Sequence, residues 1–199
     1  ERMRIVLLSL LFLFSNVAVL AQGRILAAFA HPDDETLVSP LLARYADEGH
    51  DVYILYTTSG QVGVSNTDIP AGEELGKARQ QEATCATRAL GVKPPVLLDF
   101  MDGQTATREV IPELRERIES VIRELQPDVL ITFGPDGVSG HPDHRTVSNL
   151  VTQIFQKPGG VLDKPVRLYY IAIPGILFDR LPESMRAAAG GMANLDYRW

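Results

Sequence analysis

The sequence has few of the residues that build several common kinds of site. It contains one cysteine, Cys85, in 199 residues, which excludes an internal disulfide framework and a structural zinc site made of several cysteines. Its net charge is -6, so a basic face that binds nucleic acid is not expected. The chain also lacks a G-x-G-x-x-G motif after its first apolar run, which argues against a dinucleotide-binding protein.

Residues 1–22 differ in composition from the rest of the chain. Two arginines precede an uncharged apolar run, and small residues follow up to Ala21. This pattern predicts a secretory signal peptide that is cut after Ala21, and hence a secreted or periplasmic protein with no stable membrane anchor after cleavage. A retained membrane anchor is the alternative, since the apolar run is at the short limit for spanning a bilayer.

Short apolar runs alternate with amphipathic helical patterns along residues 23–199. The first run, residues 25–30, is apolar throughout, which is typical of a strand buried on both faces. About five such alternations predict an α/β protein, a Rossmann-like three-layer α/β/α sandwich with a mostly parallel sheet. Ligands bind beyond the carboxyl ends of the strands in such sheets. The glycine-rich segment over residues 58–72 is long for a connection and is expected to be a functional loop.

Three of the four histidines fall in two similar segments, His31-Pro32-Asp33-Asp34 and His141-Pro142-Asp143-His144. Each segment follows a predicted strand and precedes a predicted helix, so a helix-capping turn explains either one alone. Together they offer one histidine and one aspartate from the first segment and one histidine from the second. Such a nitrogen and oxygen donor set suits a catalytic zinc ion with an open coordination position. Closely spaced buried carboxylates also need a cation or a proton.

The stretches AHPDDE and GHPDH, the second following PDVLITFGPDG, resemble the LmbE-like/PIG-L superfamily of zinc-dependent de-N-acetylases. The resemblance extends from Arg24 to Pro174 and implies a single deacetylase domain over residues 23–199, with truncation at the C-terminus left open. Gln61 is a departure, since many relatives carry an acid there. Supporting matches are Thr58-Ser59-Gly60, Arg79-Gln80-Gln81-Glu82, Asp102-Gly103 and Leu168-Tyr169-Tyr170.

The resemblance implies a function and a role for each residue of the two segments. The function is removal of the N-acetyl group from an N-acetylglucosamine-type amino sugar or glycoconjugate by metal-activated water, with one Zn²⁺ as cofactor and Fe²⁺ as the alternative. The implied roles are zinc ligation by His31, Asp34 and His144, general base catalysis by Asp33, proton donation by His141, orientation of His141 by Asp143, and substrate contact by Arg79.

Two other functions stay open at this stage. One is a different metallohydrolase that acts on a non-sugar amide or a phosphate ester, and the other is a non-enzymatic, metal-containing carbohydrate-binding protein. The natural substrate and the oligomeric state are not predicted. Cys85 stands beside small apolar residues of a predicted helix and is expected to be a core residue.

Overall fold

The computed structural model describes residues 22–65, 67–157 and 159–172. The predicted signal peptide, apart from Gln22, and the region after residue 172 therefore lie outside the described residues. Among the residues that the structure describes, no helix combines the length and apolar character needed to cross a membrane.

In the part of the chain that the structure describes, five parallel strands form one sheet, with β1 at its centre. β1 pairs with β2 on one side and with β4 on the other, and the order across the sheet is β3-β2-β1-β4-β5. The strands are β1 (Arg24–Phe29), β2 (Asp51–Thr58), β3 (Val96–Phe100), β4 (Val129–Phe133) and β5 (Arg167–Ile171).

Helices connect the strands in both directions from the centre of the sheet. They are α1 (Ser39–Asp47), α2 (Glu73–Ala89), α3 (Ile111–Leu125) and α4 (Pro142–Gln156), with a 3-10 turn over Asp34–Leu37 and a short helical segment over Gly137–Gly140. Right-handed crossovers place α1 and α2 on one face of the sheet and α3 and α4 on the other. The predicted three-layer α/β/α fold with a parallel sheet is confirmed.

The central strand is apolar because it is covered on every side. Ile25, the first buried residue of β1, is 4% exposed, and every residue from Leu26 to Phe29 is fully buried. The ring of Phe29 packs edge-on against Phe133 of β4, with ring centroids 5.3 Å apart. This packing fixes the carboxyl ends of β1 and β4 side by side at one edge of the sheet.

The prediction that Cys85 lies in the core is wrong, because its side chain is exposed on α2. The buried face of α2 carries Leu75, Gly76, Ala83 and Thr87. Cys85 comes two positions after Ala83, which is a rotation of about 200° around the helix axis. Small residues follow Cys85 on both faces of this helix, so composition alone gave the wrong face.

Candidate metal centre

The two histidine segments meet where the strand order reverses. His31 follows β1 through Ala30, and the segment from His141 to His144 opens α4 after β4. β1 and β4 are neighbours, but the chain leaves them toward opposite sides of the sheet. Such a reversal leaves a crevice beyond the strand ends, where ligands of open α/β sheets bind.

Three side chains converge in this crevice. His31 Nδ1 lies 3.2 Å from His144 Nε2 and 3.5 Å from Asp34 Oδ2, and Asp34 Oδ1 lies 3.2 Å from His144 Nε2. Atoms that bind one tetrahedral zinc ion at about 2.0–2.1 Å are about 3.3–3.4 Å from one another. The two histidine nitrogens have nearly this spacing, and Asp34 directs one carboxylate oxygen toward each of them. The predicted ligands His31, Asp34 and His144 therefore form a donor set that suits a single divalent ion.

The charges around His31 favour a cation at this place. Burial lowers the pKa of His31, but the nearby carboxylates of Asp102, Asp143 and Asp34 outweigh burial and raise the pKa to about 11. Burial of Asp34 opposes its ionisation, yet contacts with His144 and His31 hold the pKa of Asp34 well below its usual range. Carboxylates gathered around a buried imidazole need positive charge, which a proton or a metal ion supplies.

His144 is held by its backbone surroundings with one ring nitrogen toward the other donors. His144 Nδ1 lies 3.0 Å from the carbonyl oxygen of Gly137, and the ring stacks on Phe133 at 4.2 Å between centroids. A proton on Nδ1 for the carbonyl leaves the lone pair of Nε2 for a metal. Gly137 has φ +71°, and a Cβ there would come within 3.0 Å of His144 Cβ, so this turn requires glycine.

Asp33 lies at the rim of the same crevice and is far more exposed than the three donors. Its side chain is 64% exposed, and its Oδ2 accepts a hydrogen bond of 2.6 Å from Arg79 Nη2. Arg79 also donates to the carbonyl oxygen of Pro32. Asp33 has φ 103°, a backbone conformation that costs a non-glycine residue energy and is found at functional sites. Arg79, predicted to contact substrate, thus lies against the predicted base.

The crevice encloses about 370 Å³ and is lined by both segments. His141 is part of the lining, with its ring centroid 4.9 Å from that of His31 and 5.0 Å from that of His144. His141 Nδ1 accepts a hydrogen bond from the backbone amide of Asp143, so a neutral His141 ring carries its proton on Nε2. Burial, followed by the charges of His31 and His144, lowers the pKa of His141.

Asp143 is fully buried beneath the crevice. Its carboxylate accepts hydrogen bonds from the amide of Gly103 and the hydroxyl of Thr105, both at 2.7 Å, and lies 3.4 Å from His31 Nε2. Burial opposes ionisation, but these contacts with His31, Thr105 and Gly103 lower the pKa of Asp143 to about 2. Orientation of His141 by this carboxylate stays a prediction.

Asp102 belongs to the crevice, although sequence reasoning gave it no role. Its Oδ1 lies 3.0 Å from His31 Nε2, and its side chain is buried. Its position in the sequence could have indicated this, since Asp102 follows β3 by two residues and so reaches the same edge of the sheet. Tyr169 and Tyr170 are exposed on β5 and line a different groove.

Fold and site together define an α/β protein with a candidate metal centre at the switch point of a parallel sheet. Residues 26–155 match the sequence model of the PIG-L family, which is described as GlcNAc-PI de-N-acetylase. The match covers more than half of the chain, and the protein therefore belongs to the PIG-L family.

Curated relatives carry the name 1D-myo-inositol 2-acetamido-2-deoxy-alpha-D-glucopyranoside deacetylase. The protein of Rhodococcus jostii is 35% identical over 162 aligned positions, which cover 70% of this chain and 56% of the relative. The protein of Thermobispora bispora is 28% identical over 200 positions, covering 85% of this chain and 65% of the relative. The chain thus spans only part of the length of these relatives, little more than half of the first.

Solved structures share the fold. N,N'-diacetylchitobiose deacetylase of Pyrococcus horikoshii has a TM-score of 0.63 and 21% identity, over 88% of this chain and 72% of that one. A conserved protein of Thermus thermophilus has a TM-score of 0.58 and 29% identity, over 74% and 65%. A 4-carboxy-2-hydroxymuconate hydratase of Pseudomonas putida has a TM-score of 0.61 and 19% identity, over 88% and 80%. Because a hydratase shares the fold, function must be argued from the site.

Proposed function

We propose that this protein is a metal-dependent hydrolase that removes the N-acetyl group from an amino sugar or glycoconjugate of the N-acetylglucosamine type. The observation that carries the proposal is the convergence of His31, Asp34 and His144, whose side chains contact one another at 3.2–3.5 Å. Curated relatives named as deacetylases of an N-acetylated glucosaminide support the substrate class.

We expect one zinc ion at the three donors, with Fe²⁺ as the alternative. A divalent ion bound there supplies a Lewis acid that polarises the amide carbonyl and makes a water molecule acidic near neutral pH. His31 and His144 contribute neutral nitrogen donors, and Asp34 contributes one negative charge. Three protein ligands leave a further coordination position open, as catalytic zinc sites require.

Asp33 is the residue best placed to accept a proton from the attacking water. Its neighbour Asp34 is buried among the histidines, whereas the Asp33 carboxylate is exposed at the crevice. A general base must reach the reacting water without binding the metal, and Asp33 is assigned this role because it lines the crevice beside Asp34. The ion pair with Arg79 restricts where the Asp33 side chain points.

His141 is the second group that faces the reacting amide. It lines the crevice, and the amide of Asp143 leaves the proton of a neutral ring on Nε2. From this position a neutral His141 donates a hydrogen bond to the developing oxyanion, and a His141 that has first taken up a proton delivers it to the leaving amine.

The proposal is tested by incubating the purified protein with a panel of N-acetyl sugars and measuring acetate release, with and without a chelator. We expect release from at least one N-acetylglucosamine derivative, its loss in the chelator, and its recovery when zinc is added. Binding of these sugars with no acetate released would instead support a non-enzymatic carbohydrate-binding protein.

A different metallohydrolase is the competing enzymatic function, and the number of metal ions separates the two. Two-metal phosphatases hold two ions about 3.5–4 Å apart. We expect one ion per chain by elemental analysis of the zinc-loaded protein. Two ions per chain together with phosphate ester hydrolysis would favour the competing function.

We also propose that the protein acts outside the cytoplasm, because residues 1–22 have the pattern of a signal peptide. N-terminal sequencing of the protein recovered from the periplasm or medium of an expressing bacterium should begin after Ala21. A product that keeps residues 1–22 and sediments with membranes would support the retained anchor instead.

A further inference from the structure

We infer that Asp102 is a positioning residue that holds the ring of His31 with Nδ1 toward the metal centre. The inference rests on the proposed function, because it concerns how His31 is prepared to bind the metal ion.

The two ring nitrogens of His31 face different partners. Nδ1 faces Asp34 and His144, while Nε2 lies 3.0 Å from Oδ1 of Asp102. A carboxylate only accepts hydrogen bonds, so the contact with Asp102 is attractive when Nε2 carries a proton. In the neutral ring this proton leaves the lone pair on Nδ1, where the other two donors converge.

Burial makes this contact selective for one tautomer. The side chains of His31 and Asp102 are only 12% and 6% exposed. With little water to take the place of either partner, the opposite tautomer would set an unprotonated nitrogen against a buried carboxylate. Two acceptors facing each other in a buried place are costly, so the ring is held with Nδ1 toward the metal centre.

Asp102 is itself fixed by the loop that follows β2. Its backbone amide donates to Oε1 of Gln61 at 3.2 Å, and its Oδ2 accepts from the amide of Val62 at 3.2 Å. Gln61 is buried and closely packed, since a Cβ on Gly76 would come within 2.8 Å of its Cγ. The loop therefore holds one carboxylate oxygen of Asp102 and directs the other to His31.

Asp143 also approaches His31 Nε2, but it is less suited to select the tautomer. Its Oδ2 is 3.4 Å from Nε2, and its two oxygens already accept from the amide of Gly103 and the hydroxyl of Thr105. We therefore assign the shorter contact, from Asp102, as the one that orients the ring, with Asp143 as a supporting negative charge.

The test compares zinc affinity in Asp102→Ala, Asp102→Asn and the unchanged protein by competition with a chelator of known affinity. Removing the partner of a metal-binding histidine typically weakens metal binding by about 10–100-fold. We expect a loss in this range for Asp102→Ala and a smaller loss for Asp102→Asn, whose side-chain oxygen still accepts a hydrogen bond. Asp47→Asn, an exposed aspartate at the end of α1, is the matched control and should bind zinc normally.

A second measurement reads the contact with Asp102 directly. In ¹⁵N NMR spectra of the zinc-loaded protein, the proton on Nε2 of His31 should be protected from exchange with water, and Asp102→Ala should broaden or shift its signal. Thermal melting checks folding, and if Asp102→Ala does not fold, Asp102→Asn carries the comparison.

The outcomes separate this inference from the proposed function. Unchanged zinc affinity in both Asp102 variants overturns the inference, as does a raised KM with zinc affinity intact, which would assign Asp102 to substrate binding. Failure of the unchanged protein to retain zinc or release acetate overturns the proposed function, whatever the Asp102 variants do.

Discussion

The two histidine segments share three residue types in the same order, yet the fold uses their third residues in opposite ways. Asp33 is 64% exposed at the rim of the crevice, whereas Asp143 is fully buried beneath it. Asp33 follows β1 in a strained turn and pairs with Arg79, while Asp143 lies in the first turn of α4 and accepts from the amide of Gly103. One short motif thus supplies an exposed carboxylate, the proposed base, in one place and a buried, hydrogen-bonded carboxylate in another.

The two segments are alike in one respect, since the fourth residue of each is a predicted metal ligand. Substitution of His144 is expected to have the largest effect on zinc retention and activity. His144→Ala removes one of the three converging donors, so we expect loss of zinc retention and no measurable acetate release. His50→Ala is the control, because His50 precedes β2 at the other end of the sheet and bonds to Gly23. Zinc retained at full occupancy by His144→Ala would contradict the assigned ligand set.

Asp33→Asn tests the reactive half of the comparison. A general base contributes about 10²–10⁴-fold to rate, and asparagine cannot take a proton from water. We expect kcat to fall within this range while zinc content, measured by elemental analysis, stays at one ion per chain. Undiminished turnover would show that Asp33 is not the base.

Arg79 should act through Asp33, since the two side chains are 2.6 Å apart. A double-mutant cycle with Arg79→Ala and Asp33→Asn should show a coupling of about 0.5–3 kcal/mol in kcat/KM, as is usual for residues in contact. Arg88→Ala on the same helix is exposed and should not couple. If the two substitutions instead lower kcat/KM by independent factors, and Arg79→Ala raises KM, then Arg79 contacts the substrate and does not act through Asp33.

Asp143→Ala tests the structural half of the comparison. Its loss leaves the amide of Gly103 and the hydroxyl of Thr105 without their acceptor, and an unsatisfied buried donor costs about 1–3 kcal/mol. We expect the free energy of unfolding of the metal-free protein to fall by this amount in urea titrations. Asp33→Ala should change it far less, and equal losses would remove the distinction between the two aspartates.

Backbone strain at Asp33 gives the smallest effect. At φ 103° glycine avoids the steric cost that a Cβ imposes, and strained positions cost about 1–3 kcal/mol. Both variants lack the carboxylate, but in urea titrations Asp33→Gly should have a free energy of unfolding about 1 kcal/mol higher than that of Asp33→Ala. A less stable Asp33→Gly would show that the turn is not strained.

Local sequence patterns predicted the parallel sheet and the convergence of His31, Asp34 and His144. The apolar runs predicted the strands and the helical spacing of apolar residues predicted the helices. Because both histidine segments directly follow buried strands, the rule that ligands bind beyond the carboxyl ends of parallel strands was enough to bring them together. The strand order could not be read, since no local pattern shows that β4 returns beside β1.

The remaining contacts depend on that order and on backbone detail. Asp102 meets His31 only because β3 lies beyond β2 and the loop at Gln61 folds back onto it. The pairing of Arg79 with Asp33 depends on a turn with positive φ, which an aspartate does not indicate. Packing of this kind is decided by tertiary structure and leaves no periodic signal in the sequence.

The proposed function depends on one divalent ion held between the two segments. Anomalous diffraction at the zinc edge from crystals of the zinc-loaded protein tests this most directly. We predict a single peak about 2.0–2.1 Å from His31 Nδ1, His144 Nε2 and a carboxylate oxygen of Asp34. A peak on the other side of the ring, between His31 Nε2, Asp102 and Asp143, or no peak in the crevice, would contradict it.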